Sequence, residues 1–497
     1  MTTLYTIILF VYIIAMIVIG IIGAKKSKTS EDYILAGRKL PIVMMAFSVV
    51  AGFFGSEVAM GASGTAYTMG WVGGAGIPFG WTLCLIVMGV FFTKKMRAMR
   101  LYSIAEYFQV KYGKTVGVLS AILIVVGQLF WIAALNIGMA KTLSTFLGWD
   151  YNLSIGIGLL IVLIYTVAGG LWSGVITDCI QFVILAIATI VLMFVSVNAA
   201  GGWSNVVQTV PAEQMNFTVK DAATLIFVIT GLLSPIFSGV VTPDGNSRLM
   251  GGRSPKASMK AAFLSAPLYL VLGIACMIIG FAGIVVFPNI ADAEMIYPTF
   301  ALEYLPPVFA AMVMIGLVSV VMSSADSALL ASATMMTKNI VEPLKKKKME
   351  DKKILWLVRI MVIVAGLAAV LIAVLSADVE NAMVILNMIT AGLWLALAPL
   401  IWFGFFWKKA NKTAGVVTII FSIVFLLVWY SISTLVNPSF GSFMMSDLPG
   451  ELICTPIGLL LFVIVAKATY KKDPPIELPV YDDEEEESKK AKQIAAE

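Results

Sequence analysis

The sequence IGLVSVVMSSADSALLAS, residues 315–332, places one aspartate among serines inside an otherwise apolar run. Four of its polar residues follow helical spacings of three and four, which puts them on one face of a helix. They are Ser319, Ser323, Asp326 and Ser327. A carboxylate at mid-membrane costs roughly 2.5 to 3.5 kcal/mol on insertion scales and is tolerated where it faces a partner or a water-filled cavity. The run is therefore the first candidate for a functional site.

The composition of the whole chain is that of a polytopic helical membrane protein. Of its 497 residues, 60% are hydrophobic and 13% are charged, and the mean hydropathy is +0.95. Runs this long predict helices, because a spanning helix satisfies its own backbone hydrogen bonds in lipid. The chain contains no histidine, the usual metal ligand and proton carrier. The net charge of +5 comes from residues at the ends of apolar runs, so it indicates orientation in a lipid bilayer and not nucleic-acid binding.

The apolar runs predict about thirteen spans. They are 4–24, 41–67, 73–93, 116–140, 152–169, 174–198, 222–246, 259–287, 306–337, 354–376, 380–406, 412–435 and 450–467. No basic residue precedes the first run and two lysines follow it, which predicts an outside N-terminus, and an odd count then puts the C-terminus in the cytoplasm of a multi-pass cell-membrane protein. We expect one transmembrane domain, 1–470, and a disordered charged tail, 471–497, with no obligatory protein partner.

Two predicted spans contain residues that interrupt helices. VVAGFFGSEVAMGASG, 49–64, carries four glycines, and GLLSPIFSG, 231–239, carries a proline between glycines. Each opens a group of five spans, which predicts inverted repeats at about 41–198 and 222–435 with a binding site at mid-membrane. The alternative is that these small residues only permit close packing of helices.

An interrupted helix leaves backbone carbonyls free to bind a cation. The carbonyls of Ala51 and Phe54, with the hydroxyls of Ser323 and Ser324, would form a neutral oxygen cage. Oxygen ligands without histidine or cysteine favour a hard cation such as sodium.

A second constellation is a pair of carboxylates, Asp178 at the start of the sixth span and Asp326 in the ninth. Two carboxylates that meet in one bundle repel each other unless a cation or a proton lies between them. The pair therefore predicts a second cation site or a proton carrier, unless Asp178 is a carboxylate of the membrane surface.

A third constellation could form the wall of a substrate site. Gln128 and Trp131 lie one turn apart on the fourth span, and Phe53 and Glu57 flank the interruption of the second. Aromatic faces beside a carboxylate suit a cationic or amphipathic organic solute.

Four segments of the chain resemble the sodium/solute symporter family, which contains sodium-coupled sugar, proline, pantothenate, sialic-acid and choline transporters. They are SEDYILAGRKLP (30–41), GGLWSGVITDCIQ (169–181), PDGNSRLMGGRSPKAS (243–258) and VVMSSADSALLASA (320–333). The choline-transporter-like branch is nearest, through GQLFW (127–131), the SSADS run and FFTKKMR (91–97). The third tryptophan that an aromatic choline cage would need is not evident after the break, where the chain reads VVTPDGNSR.

The resemblance implies the leucine-transporter fold, a five-plus-five inverted repeat with one extra N-terminal and two C-terminal helices. It also implies the sodium ligands. The main site would use Ala51, Phe54, Val320, Ser323 and Ser324. A second sodium would use Asp178, Ser323, Asp326 and Ser327, with Asp326 standing where the family has a hydroxyl.

The expected function is sodium-coupled import of a small organic solute by alternating access, with sodium ion as the coupling ion and no enzymatic activity. The solute could be a choline-like cation, an amino acid, a sugar or a carboxylate. One rival is a proton-coupled transporter that uses Asp178 and Asp326. Rivals of other classes are an intramembrane aspartyl protease built on the same two residues and a non-transporting nutrient sensor.

Overall fold

The computed structural model describes residues 2–345, 347, 349–376, 382–435, 450–479 and 481. The side chains of Ser56 and Glu57 fall outside this description. The described residues are helical apart from turns and loops, with one isolated backbone bridge between Leu40 and Gly252. The predicted all-α class is therefore confirmed.

The first half of the chain forms ten helices among the described residues. They are α1 (Thr2–Ala24), α2 (Ser30–Leu35), α3 (Ile42–Phe53), α4 (Ser56–Val87), α5 (Thr93–Ala98), α6 (Ile104–Tyr112), α7 (Lys114–Leu147), α8 (Tyr151–Ala199), α9 (Trp203–Thr209) and α10 (Ala212–Met215). Capping side chains determine where several of these helices begin. Thr29 and Asp32 form a reciprocal capping box before α2, and the carboxylate of Asp150 accepts the backbone N–H of Leu153 at the start of α8. These side chains satisfy backbone donors that the first helical turn leaves without partners.

The second half adds ten more helices in the described part of the chain. They are α11 (Ala222–Gly239), α12 (Pro243–Met250), α13 (Pro255–Val286), α14 (Ile296–Tyr304), α15 (Pro307–Met335), α16 (Asp351–Leu375), α17 (Ala382–Leu395), α18 (Ala398–Phe406), α19 (Lys412–Leu435) and α20 (Gly450–Thr469). Pro243 is the first residue of α12 and Pro255 the first of α13. Proline suits this position because the first turn does not use its missing N–H.

Both predicted interruptions are present in the structure. Between α3 and α4, Phe54 leaves the helical region (φ −93°, ψ 69°) and Gly55 is extended (φ −72°, ψ 179°). Between α11 and α12 the chain bends by 48°. The second break lies at 240–242, after the predicted segment 231–239, and Pro235 is inside α11. Pro235 can remain inside a membrane helix because neighbouring groups can satisfy the carbonyl that a proline leaves without a donor. The chain bends further on, where Pro243 starts a new helix.

The number of spans depends on two kinked helices. Ten helices of the described chain are long and apolar enough to cross a membrane, and the bent pair α11 and α12 adds an eleventh. Inside α4 and α8 the backbone is non-helical at Gly70 (φ 64°, ψ −145°) and Gly170 (φ 60°, ψ −157°). These glycines lie where the sequence separates predicted spans. The count of about thirteen, the repeat boundaries and the orientation stay predictions.

Helix α15, which contains the sequence 315–332, lies at the centre of the protein. Every side chain from Val313 to Met335 is buried. On one side α15 packs against α8, and on another the hydroxyl of Ser319 hydrogen-bonds that of Tyr12 on α1 at 2.7 Å. Gln181 on α8 donates to the same Tyr12 hydroxyl at 3.0 Å. The polar face of this helix is therefore turned into the protein and not toward lipid.

The segment after α20 contacts earlier helices. The ammonium of Lys111 on α6 donates to the carbonyl of Ile476 at 2.7 Å, and the N–H of Tyr481 donates to the carbonyl of Ala98 at 3.0 Å. Residues 480 and 482–497 lie outside the described residues, so the disorder predicted for 471–497 stays a prediction.

Candidate functional site

One hydroxyl of α15 reaches the break after α3. Ser324 Oγ lies 3.0 Å from the carbonyl oxygen of Gly52 and 3.4 Å from that of Ala51, and it donates to them. Phe54, whose N–H donates to the carbonyl of Val50 at 2.8 Å, is the last residue before the chain turns away. At a helix end such carbonyls lack the amide donors of a following turn. The structure therefore brings Ser324 together with the segment that supplies the two predicted carbonyl ligands.

The neighbouring serine, Ser323, has a different partner. Its hydroxyl donates to Asp178 Oδ1 on α8 at 2.5 Å, while the hydroxyl of Ser48 on α3 donates to Asp178 Oδ2. Val320, a predicted carbonyl ligand, is buried one turn before Ser324 on α15. The serine pair thus connects α15 to two helices, α8 through one hydroxyl and α3 through the other.

A buried arginine, Arg248, completes this centre. Arg248 on α12 has no exposed side-chain surface, and its Nη2 lies 2.9 Å from Asp178 Oδ2. Its Nε donates to Ser48 Oγ at 2.6 Å, and Nη2 also donates to the carbonyl of Ser323 at 3.2 Å. A Cβ built on Gly52 would lie 2.6 Å from the guanidinium carbon, so only glycine leaves room for it there. Arg248 therefore joins α3, α8, α12 and α15.

A charge count could have found Arg248. The sequence places several carboxylates inside predicted spans, Asp178 and Asp326 among them, and a buried carboxylate needs a cation, a proton or hydrogen-bond donors. Arg248 is the basic residue that follows the break before α12 within one short helix, whereas Arg253 comes after that helix and is exposed. Position alone did not distinguish them, because both follow the seventh predicted span.

Asp326 lies beside the same turn of α8 but makes a different set of contacts. Its Oδ1 accepts the hydroxyl of Ser327 at 2.8 Å, and Ser327 also donates to the carbonyl of Ser323 at 2.9 Å. A Cβ built on Gly174, four residues before Asp178, would lie 2.9 Å from Asp326 Oδ2. The two carboxylates predicted as a pair therefore flank one turn of α8, and Arg248 supplies a positive charge that the sequence analysis did not weigh.

The predicted aromatic residues have partners that the sequence analysis missed. The ring of Phe53 lies 4.9 Å from that of Trp81, and the ring of Trp131 lies 6.1 Å from that of Trp394. Phe53 also packs on the backbone of α12, because a Cβ on Gly245 would lie 2.1 Å from its ring. These contacts link α3 to α4 and α12, and α7 to α17.

Gln128, the predicted polar residue of this wall, contacts a carboxylate that the sequence analysis did not select. Its Nε2 donates to Asp244 Oδ1 on α12 at 3.0 Å, and both side chains are fully buried. The last predicted wall residue, Glu57, lies in α4 with its side chain outside the described residues. Phe53 and Gln128 therefore both contact α12, whereas the described ring contact of Trp131 is with Trp394 and not with Phe53.

The oxygen atoms at the α3 break are suitable ligands for a hard monovalent cation. Carbonyl and hydroxyl oxygens from α3 and α15 are neutral ligands of the kind that replace the hydration shell of an alkali ion. Among the described residues, no group of three or more histidine, cysteine, aspartate or glutamate side chains is arranged to hold a metal ion. Oxygen ligands of this kind suit a hard alkali cation such as sodium.

Comparison with known proteins agrees with this chemistry. The family model described as "Sodium:solute symporter family" matches residues 33–440. The chain is similar to the human protein named "High affinity choline transporter 1", with 29% identity over 442 residues, 82% of this chain and 73% of the relative. It is also similar to the "Sodium/proline symporter" of Escherichia coli K12, with 22% identity over 481 residues, 92% of each chain.

A solved structure shares the fold. A Na+-coupled sialic acid symporter in a substrate-bound outward-open state aligns with a TM-score of 0.79, covering 95% of this chain and 99% of that one at 21% identity. A likeness at this identity shows the fold alone. Solved neighbours of this kind have the leucine-transporter fold that the resemblance implied.

Proposed function

Because the chain belongs to the sodium:solute symporter family, we propose that it imports a small organic solute across the cell membrane together with sodium, by alternating access. Sodium-coupled transport of a small solute is supported at the level of the family and its relatives. Transport would be inward, with the N-terminus of the protein outside and its C-terminus in the cytoplasm. The protein would have no enzymatic activity.

The observation that carries the proposal is the contact between Ser324 and the carbonyls at the α3 break. We assign the main sodium site to the oxygens on either side of this contact. Its ligands would be the carbonyls of Ala51, Phe54 and Val320 and the hydroxyls of Ser323 and Ser324. A cation there would attract the carbonyl dipoles of α3 and the hydroxyls of α15, which draws the two helices together.

This arrangement explains how sodium would favour solute binding. Phe53 is one of the two residues between the predicted carbonyl ligands Ala51 and Phe54, and its ring packs against Gly245 of α12. Fixing the end of α3 therefore also fixes one face of the proposed solute wall, which contains Phe53, Glu57, Gln128 and Trp131. The coupling is reciprocal, so a bound solute raises the affinity for sodium by the same factor.

We expect Ser324→Ala to weaken sodium binding at least tenfold, since it removes one of the two hydroxyl ligands of the proposed site, and tenfold corresponds to about 1.4 kcal/mol. The measurement is the sodium-dependent rise in the unfolding temperature of the purified protein, at constant ionic strength with potassium chloride.

The matched control is Ser332→Ala, which removes a buried hydroxyl of the same helix that has no hydrogen-bond partner among the described residues. It should leave the sodium dependence within about twofold of the wild type. If Ser324→Ala keeps the wild-type sodium dependence, the assignment of the main site is wrong.

We further propose a second cation at Asp178, Asp326 and Ser327. The charge balance supports it, because Arg248 pairs with Asp178 and leaves the second carboxylate in contact with Ser327. A buried carboxylate without a countercharge is costly, so a coupling cation or a proton is expected beside it. The same observation supports the alternative that protons drive transport.

Asp326→Asn separates these alternatives. If a second sodium binds there, the concentration dependence of sodium stabilisation should be steeper for the wild type than for the variant, because the variant binds one ion fewer. Asp292→Asn is the control, since Asp292 pairs with Lys141 at a partly exposed site. If sodium stabilises the wild type and Asp326→Asn with the same concentration dependence, no second sodium binds at Asp326. Uptake driven by a pH gradient without sodium would establish the proton alternative.

A non-transporting nutrient sensor remains the alternative of a different class. It would bind sodium and solute through the same residues but would not accumulate solute. Reconstituted vesicles with an inward sodium gradient distinguish the two, because a symporter raises the internal solute concentration above the external one and a sensor does not.

A further inference from the structure

The buried pair formed by Gln128 and Asp244 has two oxygen atoms without a partner in the described structure. Both side chains are fully buried, and Gln128 Nε2 donates to Asp244 Oδ1 at 3.0 Å. Gln128 Oε1 and Asp244 Oδ2 accept no hydrogen bond from the described residues. Buried acceptors are normally satisfied, and one left alone costs roughly 1 to 3 kcal/mol, more when it is charged. The pair can therefore accept further hydrogen bonds at these two oxygen atoms.

Arg248, the nearby arginine, donates no described hydrogen bond to either of these oxygens. The side-chain hydrogen bonds of Arg248 go to Asp178 and Ser48, and its other donors reach the backbone carbonyls of Ser323 and Asp244. The bond to Asp244 is thus to its main-chain oxygen, at 3.3 Å, and not to its carboxylate. Three buried carboxylates, those of Asp178, Asp244 and Asp326, lie near this one guanidinium, so negative charge is in excess and a cationic ligand would be favoured.

The position of the pair is that of a solute site. Asp244 is the second residue of α12, just after the break, and the next residue, Gly245, packs against the ring of Phe53. Gln128 lies on α7 one turn before Trp131. The carboxylate of Asp244, the amide of Gln128 and the ring of Phe53 therefore lie close together beside the second break, and transporters of this architecture bind their solutes at such broken helices.

The orientation of the amide limits the chemistry of the ligand. An amide oxygen turned toward Asp244 would repel the carboxylate, so the amide nitrogen faces it and the amide oxygen is the atom left over. Both free atoms are acceptors, and they belong to two side chains in direct contact. A ligand must therefore bring N–H or O–H donors, and the carboxylate favours a positive charge on the group that carries them.

We propose that Asp244 and Gln128 bind the ammonium group of a solute that carries N–H donors, which is a primary or secondary amine or an amino acid. This inference rests on the proposed function and specifies the class of its substrate. A quaternary ammonium has no N–H to donate and is bound by aromatic cages, whereas a sugar brings donors but no charge.

A series of probes with constant charge tests the proposal. In sodium, the unfolding temperature of the purified protein is measured with millimolar ethanolamine, N-methylethanolamine, N,N-dimethylethanolamine or choline, and with the pair proline and glycine betaine. We expect stabilisation by ethanolamine or proline, a decrease as N–H donors are replaced by methyl groups, and none by choline or glycine betaine. Asp244→Asn should weaken binding of the stabilising probe by roughly 30-fold or more. Gln128→Met, which removes one acceptor and keeps the charge, should have a smaller effect.

Controls distinguish this proposal from the proposed function. Asp292→Asn makes the same charge change at a partly exposed site and should leave probe binding unchanged. Stabilisation by sodium alone shows that each variant is folded and tests the main sodium site separately. Choline that stabilises as well as ethanolamine, binding by sugars or carboxylates only, no shift with any probe, or full binding in Asp244→Asn would each overturn the ammonium assignment while the sodium site stands.

Discussion

Arg248→Met is expected to lower the free energy of unfolding by roughly 3 to 5 kcal/mol, the usual loss when one partner of a buried ion pair is removed. The substitution keeps an unbranched side chain of similar length but takes away every donor that Arg248 directs at Asp178, Ser48 and Ser323. Among the described contacts, the buried carboxylate of Asp178 would keep the hydroxyl donors of Ser48 and Ser323. The unfolding temperature of the purified protein, followed in detergent, measures the effect.

A second variant identifies the cause. Arg248→Met combined with Asp178→Asn removes both charges, so it should recover a substantial part of the loss, because replacing a whole buried pair is far less costly than breaking it. Arg253→Met, at an exposed position on the loop after α12, should change stability by less than about 0.5 kcal/mol. A loss as small for Arg248 as for Arg253 would show that the buried pair contributes little.

Gly170→Ala is the second substitution for which we expect a large loss. Gly170 has φ 60° and ψ −157°, a region that is almost restricted to glycine, and a side chain there costs roughly 1 to 3 kcal/mol in backbone strain. The new Cβ would also lie 2.4 Å from the backbone carbonyl oxygen of Tyr33, a fully buried residue. Because backbone atoms cannot move aside cheaply, the second half of α8, which carries Asp178, would have to shift.

The measurement is the unfolding temperature together with its rise in sodium, which reports on the centre around Asp178. Gly156→Ala is the matched control in the first half of the same helix, where an added Cβ meets nothing within 4 Å. That substitution should be neutral or stabilise the helix by up to about 1 kcal/mol. Equal stability of the two variants would contradict the role assigned to the kink.

The features predicted well from the sequence are those encoded locally. The break after α3 follows from closely spaced glycines, and the buried face of α15 follows from helical spacing of hydroxyls around Asp326. The contact of Ser324 with the carbonyls of Ala51 and Gly52 joins two helices that are distant in sequence. It was expected because the carbonyls of an interrupted helix lack intrahelical partners. The exact ligand set stays a prediction.

The features that the sequence did not reveal depend on which side chains meet across the bundle. Arg248 and the exposed Arg253 are five positions apart after the same predicted span, and burial in the folded protein distinguishes them. Trp81 comes from the predicted span after that of Phe53, and Trp394 comes from span eleven, far in sequence from Trp131. The second break lies beyond Pro235 for a similar reason, because neighbouring helices decide whether a proline ends a membrane helix.

The contact between Lys111 and Ile476 has a consequence for the biosynthesis of the protein. The two residues are 365 positions apart, and α6 lies between two early spans. At a translation rate of about 5 to 20 residues per second, roughly 20 to 70 s separate their emergence from the ribosome. The amine of Lys111 must therefore stay solvated, or bind elsewhere, while almost all later helices insert, and this contact can close only when the last segment of the chain is released.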